Sequence, residues 1–153
     1  MSRSAAAHRP LAMGPDRADF TSFDFLVVED NEFLSRLITE ILHSFGAGRI
    51  RQVQTAEGAL QEIAVHAPDI IFCDWVLPDS SGLMLLRALR RDNNGRYPRM
   101  PVIVVSGHAT DDHVAQAIGE GADSYVVKPF SARTLMQHIL KVVTRQEGVL
   151  YLG

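Results

Sequence analysis

Residues 72–82 read FCDWVLPDSSG. The run that enters this stretch, DIIFC (69–73), has the length and β-branched content of a strand, and it gives way at Asp74 to a loop of proline, serine and glycine. A strand without polar alternation is buried on both faces, as strands are in a parallel sheet covered by helices. FLVV (25–28), PVIVV (101–105) and SYVV (124–127) have the same character, whereas IRQVQ (50–54) alternates and suits a more exposed edge.

Segments of helical period separate these runs. Phe33, Leu37, Ile38, Ile41, Leu42 and Phe45 share one face of a first helix closed by Gly46. A second helix is predicted over Ala56–His66, and a third follows Ser81 as its cap, turning Leu83, Leu86 and Leu89 inward and ending at Arg90 and Arg91, where positive charge suits the helix dipole. A fourth, Asp111–Glu120, carries Val114, Ala117 and Ile118, and a fifth from Ser131 carries Leu135, Ile139 and Val142. RDNNGRYPRMP (91–101) reads as a long connection. Five βα units imply right-handed crossovers and an α/β fold: a flavodoxin-like, doubly wound, five-stranded parallel sheet of order 2-1-3-4-5 with five helices.

The rest of the composition sets bounds on function. The chain has 153 residues, enough for one domain, with 46% hydrophobic and 22% charged residues and a net charge of -3, which advertises no nucleic-acid surface. A single cysteine, Cys73, excludes an intramolecular disulfide and suits a reducing, cytoplasmic setting. No apolar stretch has the length of a membrane span. Residues 1–22 lack the apolar centre of a secretory signal and are expected to be a flexible extension; the domain is expected over 23–145 and a short tail over 146–153, with no room there for an output domain. The histidines show no zinc spacing, since His108 and His113 do not share a helical face.

Ligands of open α/β sheets sit beyond the carboxyl ends of the strands. The residues there form a coherent set: Glu29 and Asp30 after the first strand, Asp74 after the third, Ser106 and Gly107 after the fourth, and Lys128 and Pro129 after the fifth. Three carboxylates held together repel one another and favour either shared protons or a divalent cation, and a hard ion such as Mg2+ takes oxygen ligands together with a phosphate. Lys128 would neutralise further negative charge, Ser106 would donate to a phosphoryl oxygen, Gly107 leaves room for it, and Asp74 is the natural nucleophile. Each residue alone has a plainer reading: Asp74 as a turn residue, Glu29 and Asp30 as helix caps, Lys128 as a solvated strand end, Ser106 as a loop start and Tyr125 as strand packing.

Taken in order, VVEDN (27–31), FCDWVLPDSSG (72–82), VVSGH (104–108) and YVVKPF (125–130) resemble the receiver domain of bacterial response regulators, most closely the single-domain, CheY-like type, over roughly residues 23–145. The resemblance implies a stand-alone switch in a two-component phosphorelay. Asp74 would accept phosphate from the phosphohistidine of a sensor histidine kinase or histidine phosphotransfer protein. Asp30 would bind Mg2+ directly, Glu29 mainly through a metal-bound water, and the Val76 carbonyl would complete the site. Ser106 would be the switch hydroxyl, Lys128 the phosphate-binding lysine and Tyr125 the aromatic switch, with a cis Lys128-Pro129 bond. The chain would catalyse only its own phosphorylation and dephosphorylation. It would signal to a downstream protein through the face built from the fourth helix, fifth strand and fifth helix, where His113, Gln116, Glu120, Arg133 and Gln137 are expected to be exposed, without direct contact to nucleic acid or membrane. Trp75 is expected to be partly exposed beside the site. Two other readings compete: a phosphorylation-independent adaptor of the same fold, and a phosphatase of the haloacid dehalogenase type. The latter needs a second acid two residues after the nucleophile, where this chain has Val76.

Overall fold

The apolar runs form the centre of the molecule. A computed structural model of the chain describes residues 12–13, 18–93, 97–108 and 110–146. Its strands are β1 (Asp24–Val28), β2 (Arg49–Val53), β3 (Ile70–Asp74), β4 (Val102–Ser106) and β5 (Ser124–Val127), and its helices are α1 (Glu32–Ser44), α2 (Ala56–Val65), α3 (Gly82–Arg90), α4 (Asp111–Gly119) and α5 (Ala132–Gln146). The strands pair in parallel in the order β2-β1-β3-β4-β5, which is the predicted order 2-1-3-4-5. Only the alternating strand β2 runs largely half-exposed along its length.

Successive residues of each buried strand feed opposite faces. Leu26, Val28, Ile71, Cys73 and Val104 pack with Ala59 and Ile63 of α2, Leu85, Leu86 and Leu89 of α3, and Ala117 of α4. Phe25, Val27, Phe72, Ile103 and Val105 pack on the other side with Ile38 and Leu42 of α1 and with Leu135, Ile139 and Val142 of α5. Register aligns the strand ends: Val28 lies opposite Cys73, Cys73 opposite Val104, and Val104 opposite Tyr125. The residues that follow β1, β3, β4 and β5 are thereby brought to one edge.

Three helical faces differ from expectation. Phe33 is 72% exposed, because α1 turns Ser35, Ile38, Thr39 and Leu42 inward; the two hydroxyls are accommodated by bonds from Ser35 to Gln52 Oε1 (2.7 Å) and from Thr39 to the Ser35 carbonyl (2.8 Å). In α3 Leu85 is buried where Leu83 is only partly so, and Ile118 of α4 faces outward. Core packing also reaches upstream of residue 23. Phe20 is fully buried, its ring edge-on to Phe23 at 5.5 Å and to Phe25 at 6.0 Å, and its carbonyl accepts from Gly48. Ahead of it, Ala12–Met13 and Ala18–Asp19 form a two-residue antiparallel ladder. The rest of the expected extension and the tail beyond Gln146 lie outside the described residues.

The turn after β3 depends on close backbone approach. The Gly82 N–H donates to the Trp75 carbonyl at 2.8 Å, and a Cβ at position 82 would lie 2.4 Å from the Asp74 carbonyl oxygen. This fold-back covers Trp75, which is 8% exposed and belongs to the core, against the expectation of a partly exposed residue. Gly82→Ala should therefore lower stability by about 1–3 kcal/mol, the usual cost of overpacking. Urea unfolding should show a reduced midpoint with an unchanged slope; an unaltered midpoint would mean that the turn relaxes without strain.

Candidate functional site

The site begins where β1 stops. Asn31 caps α1, its Oδ1 accepting from the Leu34 N–H at 3.0 Å, so Glu29 and Asp30 are not consumed as caps. The Glu29 N–H donates to the Val53 carbonyl at 3.0 Å, continuing the pairing of β1 with β2, and its side chain is 3% exposed. Asp30 points to solvent. Asp74 ends β3 with its carboxylate 12% exposed, and each of Glu29, Asp30 and Asp74 places a carboxylate oxygen within 4.8 Å of the others.

Lys128 emerges from β5 and holds two of these groups: its Nζ lies 3.1 Å from Glu29 Oε1 and 3.2 Å from Asp74 Oδ2. The Lys128 N–H donates to the Ser106 carbonyl at 2.8 Å, so β4 sets the position of the lysine's backbone. The Lys128-Pro129 bond is cis, as expected.

Burial raises the Glu29 carboxyl to about pH 7; the nearby Asp74 charge adds to this, while the Asn31 N–H and Lys128 oppose it. Cys73 is a thiol held protonated by burial and by the neighbouring Asp74 and Glu29 charges, and it is no nucleophile.

Ser106 is fully buried at the end of β4, with its Oγ accepting from the His108 N–H at 3.1 Å. A Cβ at Gly107 would meet no heavy atom within 4 Å. Tyr125 lies inside the core and donates its hydroxyl to the His108 carbonyl at 2.6 Å. The His108 backbone is thus held by Ser106 at its N–H and by Tyr125 at its carbonyl. Val76 is 55% exposed, and its backbone pairs with Ser81 as an isolated bridge. No acid occupies this position to serve a phosphatase.

The structure therefore brings Glu29, Asp30, Asp74 and Lys128 into one pocket, with Ser106 and Tyr125 joined behind it through His108. The donor set is all oxygen and carries more negative charge than the one lysine balances, which suits a hard divalent cation such as Mg2+. Of the residues expected to be exposed on the α4-β5-α5 face, Gln116, Arg133 and Gln137 are so, whereas His113 is half-buried, bonded to Thr110 with its ring against His108. Glu120 is not free, since it pairs with Arg87 at 3.0 Å. The sequence reading does not find the bonds of the His108 peptide, because a backbone group carries no sequence signal. It also misses Asp79, whose carboxylate reaches the start of α2 across 22 and 23 residues of chain.

Comparison with known proteins identifies the family of the chain. The family model of the response regulator receiver domain matches residues 25–140. The chain is 32% identical to the chemotaxis protein CheY of Pseudomonas aeruginosa over 123 residues, covering 80% of this chain and 98% of that protein. It is 36% identical over 121 residues to the phosphate regulon transcriptional regulatory protein PhoB of Rhizobium meliloti, covering 78% of this chain and 51% of that one. Among solved structures, NtrX of Brucella abortus superposes with a TM-score of 0.74 at 31% identity, over 82% of this chain and 27% of that one. A two-component response regulator of Clostridium difficile, at 21% identity and a TM-score of 0.71 over 80% of this chain and 96% of that one, shares the fold. The chain thus spans nearly all of CheY but about half of PhoB and a quarter of NtrX. With the fold, the family model and a relative of 32% identity in agreement, the chain belongs to the response regulator receiver domain family.

Proposed function

We propose that the chain is the phospho-acceptor switch of a two-component phosphorelay, with Asp74 as the acceptor. The observation that carries this reading is the Lys128 ammonium lying 3.1 Å from Glu29 and 3.2 Å from Asp74, beside the open carboxylate of Asp30. The donor would be the phosphohistidine of a sensor histidine kinase or histidine phosphotransfer protein. An Asp74 oxygen attacks phosphorus, the P–N bond breaks as the P–O bond forms, and the imidazole leaves. Mg2+, when bound, supplies charge neutralisation and orientation of the transferred group. Asp30, Asp74 and the Val76 carbonyl would hold it, with Glu29 contributing mainly through a metal-bound water. Lys128 keeps positive charge against the phosphoryl oxygens, and the Ser106 hydroxyl donates to one of them.

The signal would leave through the His108 peptide. Drawing Ser106 toward phosphorylated Asp74 pulls on the bond that Ser106 shares with the His108 N–H, while Tyr125 holds the carbonyl of the same residue. The Tyr125 ring is already inside, so the switch needs a change in the β4–α4 loop and not an inward turn of the ring. A population shift in that loop would reshape the α4-β5-α5 face for a downstream protein. The likeness to the chemotaxis protein CheY, matched over 98% of its length, supports a receiver of the CheY-like type.

Acetyl phosphate with Mg2+ should place one acid-labile phosphate on the wild-type chain, and Asp74→Asn should remove it. Lys128→Ala should slow the reaction about tenfold or more, through lost charge compensation. Intact-mass spectrometry is the readout; stoichiometric modification of Asp74→Asn, or of the wild type without Mg2+, would refute the assignment.

The Glu29 carboxyl supports a second test. In the unfolded chain it ionises near 4.5 and in the native protein near 7, so the native state holds the extra proton between these values and loses relative stability as pH rises through them. In metal-free buffer, Glu29→Gln should melt at about the wild-type temperature at pH 5 and roughly 3–6 °C higher at pH 8. Adding Mg2+ at pH 8 should raise the wild type more than the variant, because the cation favours the ionised carboxylate. A variant less stable than wild type at pH 8 without metal would contradict the burial cost assigned to Glu29.

A further inference from the structure

We propose that Asp79 is a positioning residue for the phosphorylation pocket, tying the loop that carries Asp74 and the Val76 carbonyl to the first turn of α2. The inference rests on the pocket reading above. Asp79 Oδ1 accepts from the Ala56 N–H at 3.0 Å and Oδ2 from the Glu57 N–H at 3.1 Å. Thr55, the cap of α2, takes the next donor, Gly58 N–H, at 2.9 Å. One helix start is therefore capped by two side chains, one local and one supplied from the β3–α3 loop. Both bonds hold the Asp79 carboxyl below the usual carboxylate range, and a carboxylate at a helix N-terminus also meets the favourable end of the helix dipole.

The other hydrogen bonds of this loop close it on itself. The Leu77 N–H donates to the Ser80 carbonyl at 3.3 Å and the Gly82 N–H to the Trp75 carbonyl at 2.8 Å, the two bonds that set Val76 opposite Ser81, and the Val76 N–H donates to Asp74 Oδ1 at 3.4 Å. The Asp79 carboxylate instead carries the loop across to α2. That helix begins just after β2, whose Val53 carbonyl accepts from the Glu29 N–H, so α2 shares a frame with Glu29. Asp79 thus joins the Glu29 side of the pocket to the Val76 side and fixes the Val76 carbonyl before a cation arrives. Preorganisation of this kind improves affinity without adding a contact to the ligand.

The test compares Asp79→Ala, Asp79→Asn and Thr55→Ala. Thr55→Ala removes a cap from the same helix without touching the loop, so it reports what loss of capping alone does. Mg2+ affinity by calorimetry and amide hydrogen exchange of residues 76–81 in metal-free protein are the readouts. Asp79→Ala should weaken Mg2+ binding about three- to tenfold and speed exchange across the loop, the scale of one or two lost hydrogen bonds. Asp79→Asn, which keeps one acceptor oxygen, should fall between it and wild type. Thr55→Ala should lower the melting temperature while leaving both readouts at wild-type values. Wild-type affinity and exchange in Asp79→Ala, or equal losses in Thr55→Ala, would overturn the proposal. A wild-type chain that binds no Mg2+ would refute the pocket reading, and exchange at 76–81 would still decide whether Asp79 holds the loop.

Discussion

Carboxylates gathered at the end of a buried sheet cannot be left uncompensated, and here one lysine offsets two of them. Lys128 reaches Glu29 and Asp74 together, although one residue follows β1, the other ends β3 and the lysine follows β5. That meeting requires the strand order β2-β1-β3-β4-β5 and the register that aligns the strand ends. The compensation is incomplete, because Asp30 adds a third carboxylate and Glu29 is buried enough to resist ionisation. A site with surplus negative charge and oxygen donors could hold a divalent cation, and in the proposed function that cation would in turn prepare it for a phosphoryl group.

The pocket is joined to the rest of the molecule through backbone groups. The Ser106 side chain and the Tyr125 hydroxyl bind the N–H and the carbonyl of His108, which links the pocket to the loop before α4. At its far end α4 is tethered to α3: Arg87 pairs with Glu120, and Arg90 bonds the Gly121 carbonyl and Asp123. In the proposed switch, a helix held at one end and attached to the pocket at the other would respond to a pull on His108 by moving its first turn. The proposed chemistry at Asp74 and the shape of the α4-β5-α5 face would then be two ends of one linkage.

Much of this was legible in the sequence because strands buried on both faces leave an unambiguous signal. DIIFC and PVIVV can lie only in the middle of a covered sheet, and the acids, serine and lysine after such runs must then share an edge. Helix orientation was less legible. Phe33 looks like a core residue until Ser35 and Thr39 satisfy their hydroxyls locally and take the inward face. Trp75 was obscured by the turn that folds back over it through Gly82, and Phe20 by the absence of any periodic segment around it. Asp79 reads as an ordinary turn acid, since the helix start it caps is distant in sequence and near only after the sheet has formed.

The central claim is that occupation of the Asp74 pocket is felt at the α4-β5-α5 face. Amide NMR spectra with Mg2+ and beryllofluoride, a phosphoryl mimic, test it most directly. The account predicts shifts at residues 74–76 and 106–108 that continue through the first turn of α4 and into Tyr125. Shifts confined to the immediate surroundings of Asp74, with α4 and β5 unmoved, would contradict it.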